Sequence, residues 1–213
     1  MMRRWSAMLL LIGLLGDVAA PASAEDGPPR LRRWHVGVQA ASTWRNRYDV
    51  YGEPDLPASE VSNRGHGGGG VIGCRFGDRF LLQGQISVAA HDLAGSAAEV
   101  LDIEALLTGT VLFRPRSTLQ PFLRGGVGGG GELLELTAGG DDLFAFGTTA
   151  VAGGGLQVRL GSRVSLEWEL VATFCNLLEV HNADHNERWP DESWQVRVSN
   201  WGWRSGVGVV VWF

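Results

Sequence analysis

The sequence predicts one all-β domain, an eight-stranded antiparallel up-and-down barrel that crosses a membrane, after a cleaved signal peptide. Three observations predict it. Eight segments alternate apolar and polar residues with a period of two, and the breaks between them alternate short and long. The aromatic residues of the apolar face then fall into two bands with aliphatic residues between them. In such a barrel lipid-facing apolar residues alternate with lumen-facing polar ones, so average hydropathy cancels and no long apolar helix is needed.

Residues 1–24 read as the signal peptide. Arg3 and Arg4 give a positive start, "AMLLLIGLLG" (7–16) an apolar stretch, and "ASA" (22–24) a small-residue cleavage site after Pro21. No cysteine follows the cleavage site, so no lipid anchor is expected. Residues 25–33, "EDGPPRLRR", form a short polar leader, and 34–213 the barrel, a length that suits one domain. The net charge of −5 argues against a nucleic-acid partner.

The segments lie at about 34–44, 66–76, 79–91, 102–113, 121–134, 144–160, 164–175 and 200–213. Short breaks fall at 77–78, 114–120 and 161–163, and long ones at 45–65, 92–101, 135–143 and 176–199. The first segment carries Trp34 and Trp44 at its two ends on the apolar face. The second is glycine-rich and ends on Phe76. In the third, Phe80, Leu82, Ile86 and Val88 oppose Gln83, Gln85, Ser87 and His91. The fourth holds Glu104 and ends on Phe113. The fifth sets Phe122 on the same face as Arg124, against the apolar rule. The sixth begins with Phe144 and Phe146 and closes near Arg159. In the seventh, Val164, Leu166, Trp168, Leu170, Ala172 and Phe174 oppose Ser165, Glu167, Glu169, Val171 and Thr173. In the eighth, Trp201, Trp203, Ser205, Val207, Val209, Val211 and Phe213 oppose Gly202, Arg204, Gly206, Gly208 and Val210.

Glycine supplies 31 of 213 residues, roughly twice its usual share. The runs "GHGGGGVIG" (65–73) and "GGVGGGGE" (125–132) lack the lysine of a phosphate-binding loop and read as close-packed strand. Charges expected in the lumen are Arg75, Glu104, Arg124, Glu132, Arg159, Glu167, Glu169 and Arg204. Mixed signs in a space just wide enough for side chains favour a structural network of ion pairs over a pore lining or an acid–base pair. "EVHNADHNE" (179–187) sets His181 and His185 four apart beside Asp184 and Glu187, a spacing that could hold Zn²⁺, but a solvated loop is the expectation and no metal is predicted. Cys74 and Cys175 belong to opposite ends of their strands, about 25 Å apart, where a disulfide needs about 7 Å. Two unpaired thiols are expected.

"LQPFLRGGVGGGGE" (119–132), the hairpin "AVAGGGLQVRLGSRVSLEWEL" (150–170) and the terminal "GVGVVVWF" (206–213) resemble the small eight-stranded outer-membrane β-barrel proteins of Gram-negative bacteria, the OmpA-like membrane-domain superfamily. The resemblance covers about residues 34–213. It implies residence in the cell outer membrane with both ends periplasmic, and a last strand that closes on the first. It also implies that Val209, Val211 and Phe213 form the signal read by the outer-membrane assembly machinery. Some barrels of this kind are lipid A acyl hydrolases with a His-x-Ser-Asn stretch. Here "VRVSNWG" (196–202) puts Arg197 where that histidine belongs, so Ser199 has no base and no enzyme activity is expected. No cofactor is expected. The expectation is a monomeric structural or surface-interaction protein working through its external loops, with the region of His181, Trp189 and Trp194 contacting lipopolysaccharide, outer-membrane lipid or another surface partner. A narrow porin-like pore for small solutes is the first alternative. A soluble periplasmic barrel holding an apolar ligand is the second.

Overall fold

The computed structural model describes residues 32–45, 49–51, 61–93, 99–134, 143–182 and 197–213. The expected signal peptide, the leader up to residue 31 and the 183–196 part of the last long loop, with Asp184, His185, Glu187, Trp189 and Trp194, lie outside them. Nine strands are described: β1 (Trp34–Arg45), β2 (Asp49–Tyr51), β3 (Val61–Phe76), β4 (Phe80–Leu93), β5 (Glu99–Leu112), β6 (Leu119–Leu134), β7 (Leu143–Arg159), β8 (Val164–Asn182) and β9 (Arg197–Trp212). β1 pairs with β3, β3 to β9 pair in succession, all antiparallel, and β1 pairs with β9 to close an eight-stranded barrel. Closure removes the open edge whose unpaired N–H and C=O groups lipid could not satisfy. At the seam Val36 lies opposite Val211 and Ser42 opposite Ser205, while Phe213 N donates to Trp34 O at 2.8 Å.

The strands overrun the sequence-based segments mainly at the loop end. β8 continues to Asn182, β9 begins at Arg197, and the three-residue β2 pairs with β9 inside what the sequence read as the long break 45–65. At the other end the connections are tight, Gly77–Arg79, Phe113–Thr118 and Leu160–Arg163. Gly77 takes φ of +61°, a left-handed turn conformation that a side chain would strain.

Glycine lets the wall close. A Cβ on Gly155 would lie 2.0 Å from Trp168 O and 2.6 Å from Phe122 Cζ. Gly155→Ala should therefore push the β8 backbone away as well as displace the Phe122 ring, and cost about 1–3 kcal/mol in stability. Urea unfolding of the reconstituted barrel measures this, and an unchanged midpoint would refute the close approach.

The two faces separate as alternation requires. Outward, Ile72, Ile86, Leu107, Leu123, Val127 and Val207 are each more than half exposed, an apolar surface no water-facing domain would carry. Trp34, Phe76, Phe80, Phe113 and Phe213 ring that face at the turn end. Trp44, Phe146, Phe174, Trp201 and Trp203 ring it towards the loops, and all ten are exposed. Phe122 is buried inside, as its parity with Arg124 requires. Cys74 and Cys175 are both free. Cys74 shares the outward parity of Phe76, whereas Cys175 faces the lumen, where Thr149 Oγ1 donates to its Sγ at 3.5 Å, so the thiols sit on opposite sides of the wall.

Candidate functional site

Among the described residues the buried charge gathers in the lumen, in two tiers above an apolar one. The turn-end tier is apolar: Leu81, Leu112, Phe122, Val210 and Trp212 form one cluster. The Trp212 indole tilts against His35 with centroids 4.6 Å apart and donates from Nε1 to Ser165 Oγ at 3.1 Å. Gln83 bridges this tier to the next. Its Nε2 donates to His35 Nε2 at 3.0 Å, and its Oε1 accepts from Thr110 Oγ1 at 2.8 Å.

The middle tier is built on Arg124, which lies over the Phe122 ring at 4.9 Å and donates from Nε to Thr110 Oγ1 at 3.0 Å. Its other two nitrogens take Glu167 Oε1, at 2.8 Å, and Glu169 Oε2. Residues two apart on one strand point the same way, which is why β8 can offer both carboxylates to one guanidinium. Arg204 continues the tier, with Nη1 at 2.9 Å from Glu104 Oε2 and Nη2 at 3.4 Å from Glu169 Oε1. Ser87 Oγ also donates to Glu104, at 3.2 Å. The loop-end tier is built on Arg45, whose Nη1 meets both Asp102, at 2.8 Å, and Glu132. His91 Nε2 lies 2.8 Å from Asp102 Oδ2.

The lumen cations are all arginines, whose planar forks suit several oxygens at once. A void of about 20 Å³ beside Arg45, Asp102, Glu104 and Arg204 holds about one water.

Of the eight charges singled out in the sequence, Glu104, Glu132, Arg124, Glu167, Glu169 and Arg204 take part in ion pairs in these tiers. Arg75 and Arg159 do not. Arg75 stacks on the Trp212 ring at 4.3 Å, and Arg159 donates from Nη2 to Pro115 O at 3.1 Å. The proposed assembly residues Val209 and Val211 lie on the outer parity of β9, and Phe213 is exposed beside them.

No family model matches this sequence, and no curated protein matches it either. Solved structures do. Neisserial surface protein A superposes with a TM-score of 0.57 at 15% identity, covering 84% of this chain and 97% of that one. The outer membrane protein AlkL, solved in lipid bilayers, gives 0.53 at 12% identity, over 91% and 96% of the two chains. The outer membrane protein OprG of Pseudomonas aeruginosa gives 0.51 at 11%, over 85% and 96%. The chain has the fold of the small outer-membrane barrels.

Within that fold, several lumen residues escape sequence reasoning, and three are instructive. The sequence pattern puts Arg45 in a long break, yet it ends β1 and anchors the loop-end tier. Asp102 shares the parity of Glu104, and that spacing of two was the signal for it. Trp212 points inward because it shares parity with Arg204, a signal hidden in the unbroken apolar run at 209–213.

Proposed function

We propose that this chain is an integral protein of the outer membrane whose work is done at the cell surface by its external loops, with the barrel as a rigid anchor. The filled lumen carries this reading. An apolar cluster followed by two tiers of ion pairs occupies the lumen, and the void beside Arg45 and Arg204 has room for about one water, where a conducting path would need a continuous aqueous channel. The exposed apolar wall between two aromatic rings supports placement in a bilayer, and the short turns support a periplasmic turn end with the long loops outside. Lipopolysaccharide and outer-membrane lipid are the partners this placement brings to the loops. The assembly machinery would meet the Val209–Val211–Phe213 face, and the closed sheet suits a monomer.

The test has two arms. The mature chain from an outer-membrane fraction should run compact on an SDS gel when unboiled and shift on boiling. The same protein in planar bilayers should give no stable conductance step. A soluble, unshifting band would remove the membrane placement, and a reproducible selective step would replace the surface role with a pore. Replacing residues 183–196 by a short Gly-Ser linker should keep the gel shift and abolish binding to lipopolysaccharide-containing vesicles. Unchanged binding would remove that loop from the proposal.

A further inference from the structure

The turn-end mouth is basic in a way the rest of the lumen is not. The middle and loop-end tiers set Asp102, Glu104, Glu132, Glu167 and Glu169 against Arg45, Arg124 and Arg204. At the turn end, Arg33, Arg75 and Arg159 have no ion-pair partner among the described residues: the side-chain acid there, Asp78, is held by Arg116 at 2.8 Å, and Phe213 O accepts from the backbone nitrogens of Arg33 and Trp34. Arg75 is the unusual one. It is 4% exposed, its guanidinium carbon lies over the Trp212 ring, 4.3 Å from the centroid, and its Nε is buried with no hydrogen-bond partner among the described residues. A buried guanidinium loses its water and normally recovers the cost through an anion. Here none is supplied.

What the structure supplies is space. A concavity of about 270 Å³ opens beside this group, lined by Arg33, Arg75, Phe76 and Gly77. Backbone pairing fixes its rim, with Arg75 N donating to Arg33 O at 2.7 Å. The alternation of β1 and β3 puts Arg33 and Arg75 on the inward parity, while their neighbours Trp34 and Phe76 face outward. The two cations are therefore offered along the barrel axis, to the aqueous side, and the aromatics to the lipid.

We propose that the turn-end mouth is an oxyanion seat, in which Arg75 and the rim residue Arg33 bind a phosphate group. Trp212 supports the guanidinium from one side, and a guanidinium fork can take two oxygens of one phosphate. Trp212 is itself fixed by its hydrogen bond to Ser165 and its contact with His35, so the fork is positioned before the anion arrives. The seat goes beyond the surface role proposed above and requires nothing of the loops.

The test uses the mature chain folded in a maltoside detergent, which carries no phosphate of its own. Arginine Nε–H resonances are followed by ¹⁵N NMR while inorganic phosphate replaces chloride at constant ionic strength. One resonance should move saturably, and it should be missing in Arg75→Gln. Arg33→Gln should weaken the titration about two- to fivefold, the effect of one exposed charge. A second arm dopes the micelles with dihexanoylphosphatidylglycerol instead. Movement of the same resonance there assigns the phosphate to a lipid headgroup, and movement with inorganic phosphate alone assigns it to a soluble periplasmic source. The absence of a saturable shift in either arm would overturn the proposal. So would a shift that survives in Arg75→Gln, provided that variant keeps the heat-dependent gel shift. If Arg75→Gln does not fold, the wild-type titration and Arg33→Gln still decide. An Arg75 resonance that responds to Glu25→Gln with Asp26→Asn, and not to phosphate, would mean that the chain's own leader fills the seat.

Discussion

Arg124→Met should destabilise the barrel by about 3–5 kcal/mol, the usual result of removing one partner from a buried ion pair. Arg124 is buried and serves Glu167, Glu169 and Thr110 together. Its loss leaves two carboxylates two residues apart on β8 facing an apolar floor made by Phe122. The folding equilibrium should fall by about two to three and a half decades, measured by urea unfolding of the barrel in lipid vesicles. The double variant Arg124→Met with Glu167→Gln should recover part of the loss, because one stranded charge goes with its partner. A loss below about 1 kcal/mol would mean that water already reaches these carboxylates. That result would count against a filled lumen, and with it against the reading that the barrel does not conduct.

The second large effect lies on the opposite face. Ile86 is 62% exposed and stands six residues beyond Phe80, which marks the turn-end aromatic ring. Six residues of tilted strand carry it to about the middle of an apolar band ~25 Å tall. Ile86→Arg should therefore cost about 2–4 kcal/mol in a bilayer. An arginine at Phe80 should cost only about 0–1 kcal/mol for its charge, on top of the lost ring. The contrast between the two positions is the informative quantity, because it measures depth in lipid. Equal effects near zero at both would place the outer wall in water.

Which face each residue takes was legible because a strand alternates with a period of two whatever surrounds it. Phe122 shows how far that reaches. Its chemistry suggested the lipid face, its parity with Arg124 placed it inside, and it is buried there. The ends of the strands were less legible. Past the interface the ladder continues in water, where apolar and polar residues need not alternate, so β8 runs to Asn182 with no hydropathy signal for its end. Arg45 was lost for the same reason, sitting at the edge of a polar stretch that reads as loop. Pairing within the lumen could not be read at all. Arg204 and Glu104 are 100 positions apart, and only the stagger of the three strands between them, β6, β7 and β8, brings them to one height. Arg75 illustrates the remaining limit. Its face was legible, but the absence of a carboxylate beside it depends on what every other strand contributes at that level.

The reach of these lumen contacts along the chain sets an order of events in assembly. Arg204, on the last strand, is held by Glu104 and by Ser87, 117 positions earlier. Arg45, on the first, waits for Glu132, 87 positions later. Each half makes ion pairs of its own, Arg45 with Asp102 and Arg124 with Glu167, but Arg204–Glu104 and Arg45–Glu132 join the halves, so the charged interior is completed only when β9 arrives. Contacts this distant in sequence form slowly, since the loop they close must be ordered before any of them stabilises the product. Lipid, in turn, tolerates no open edge. The last strand's docking, the drying of the lumen and the passage into the bilayer therefore have to coincide, and the closing of β9 on β1 is the step that sets the clock.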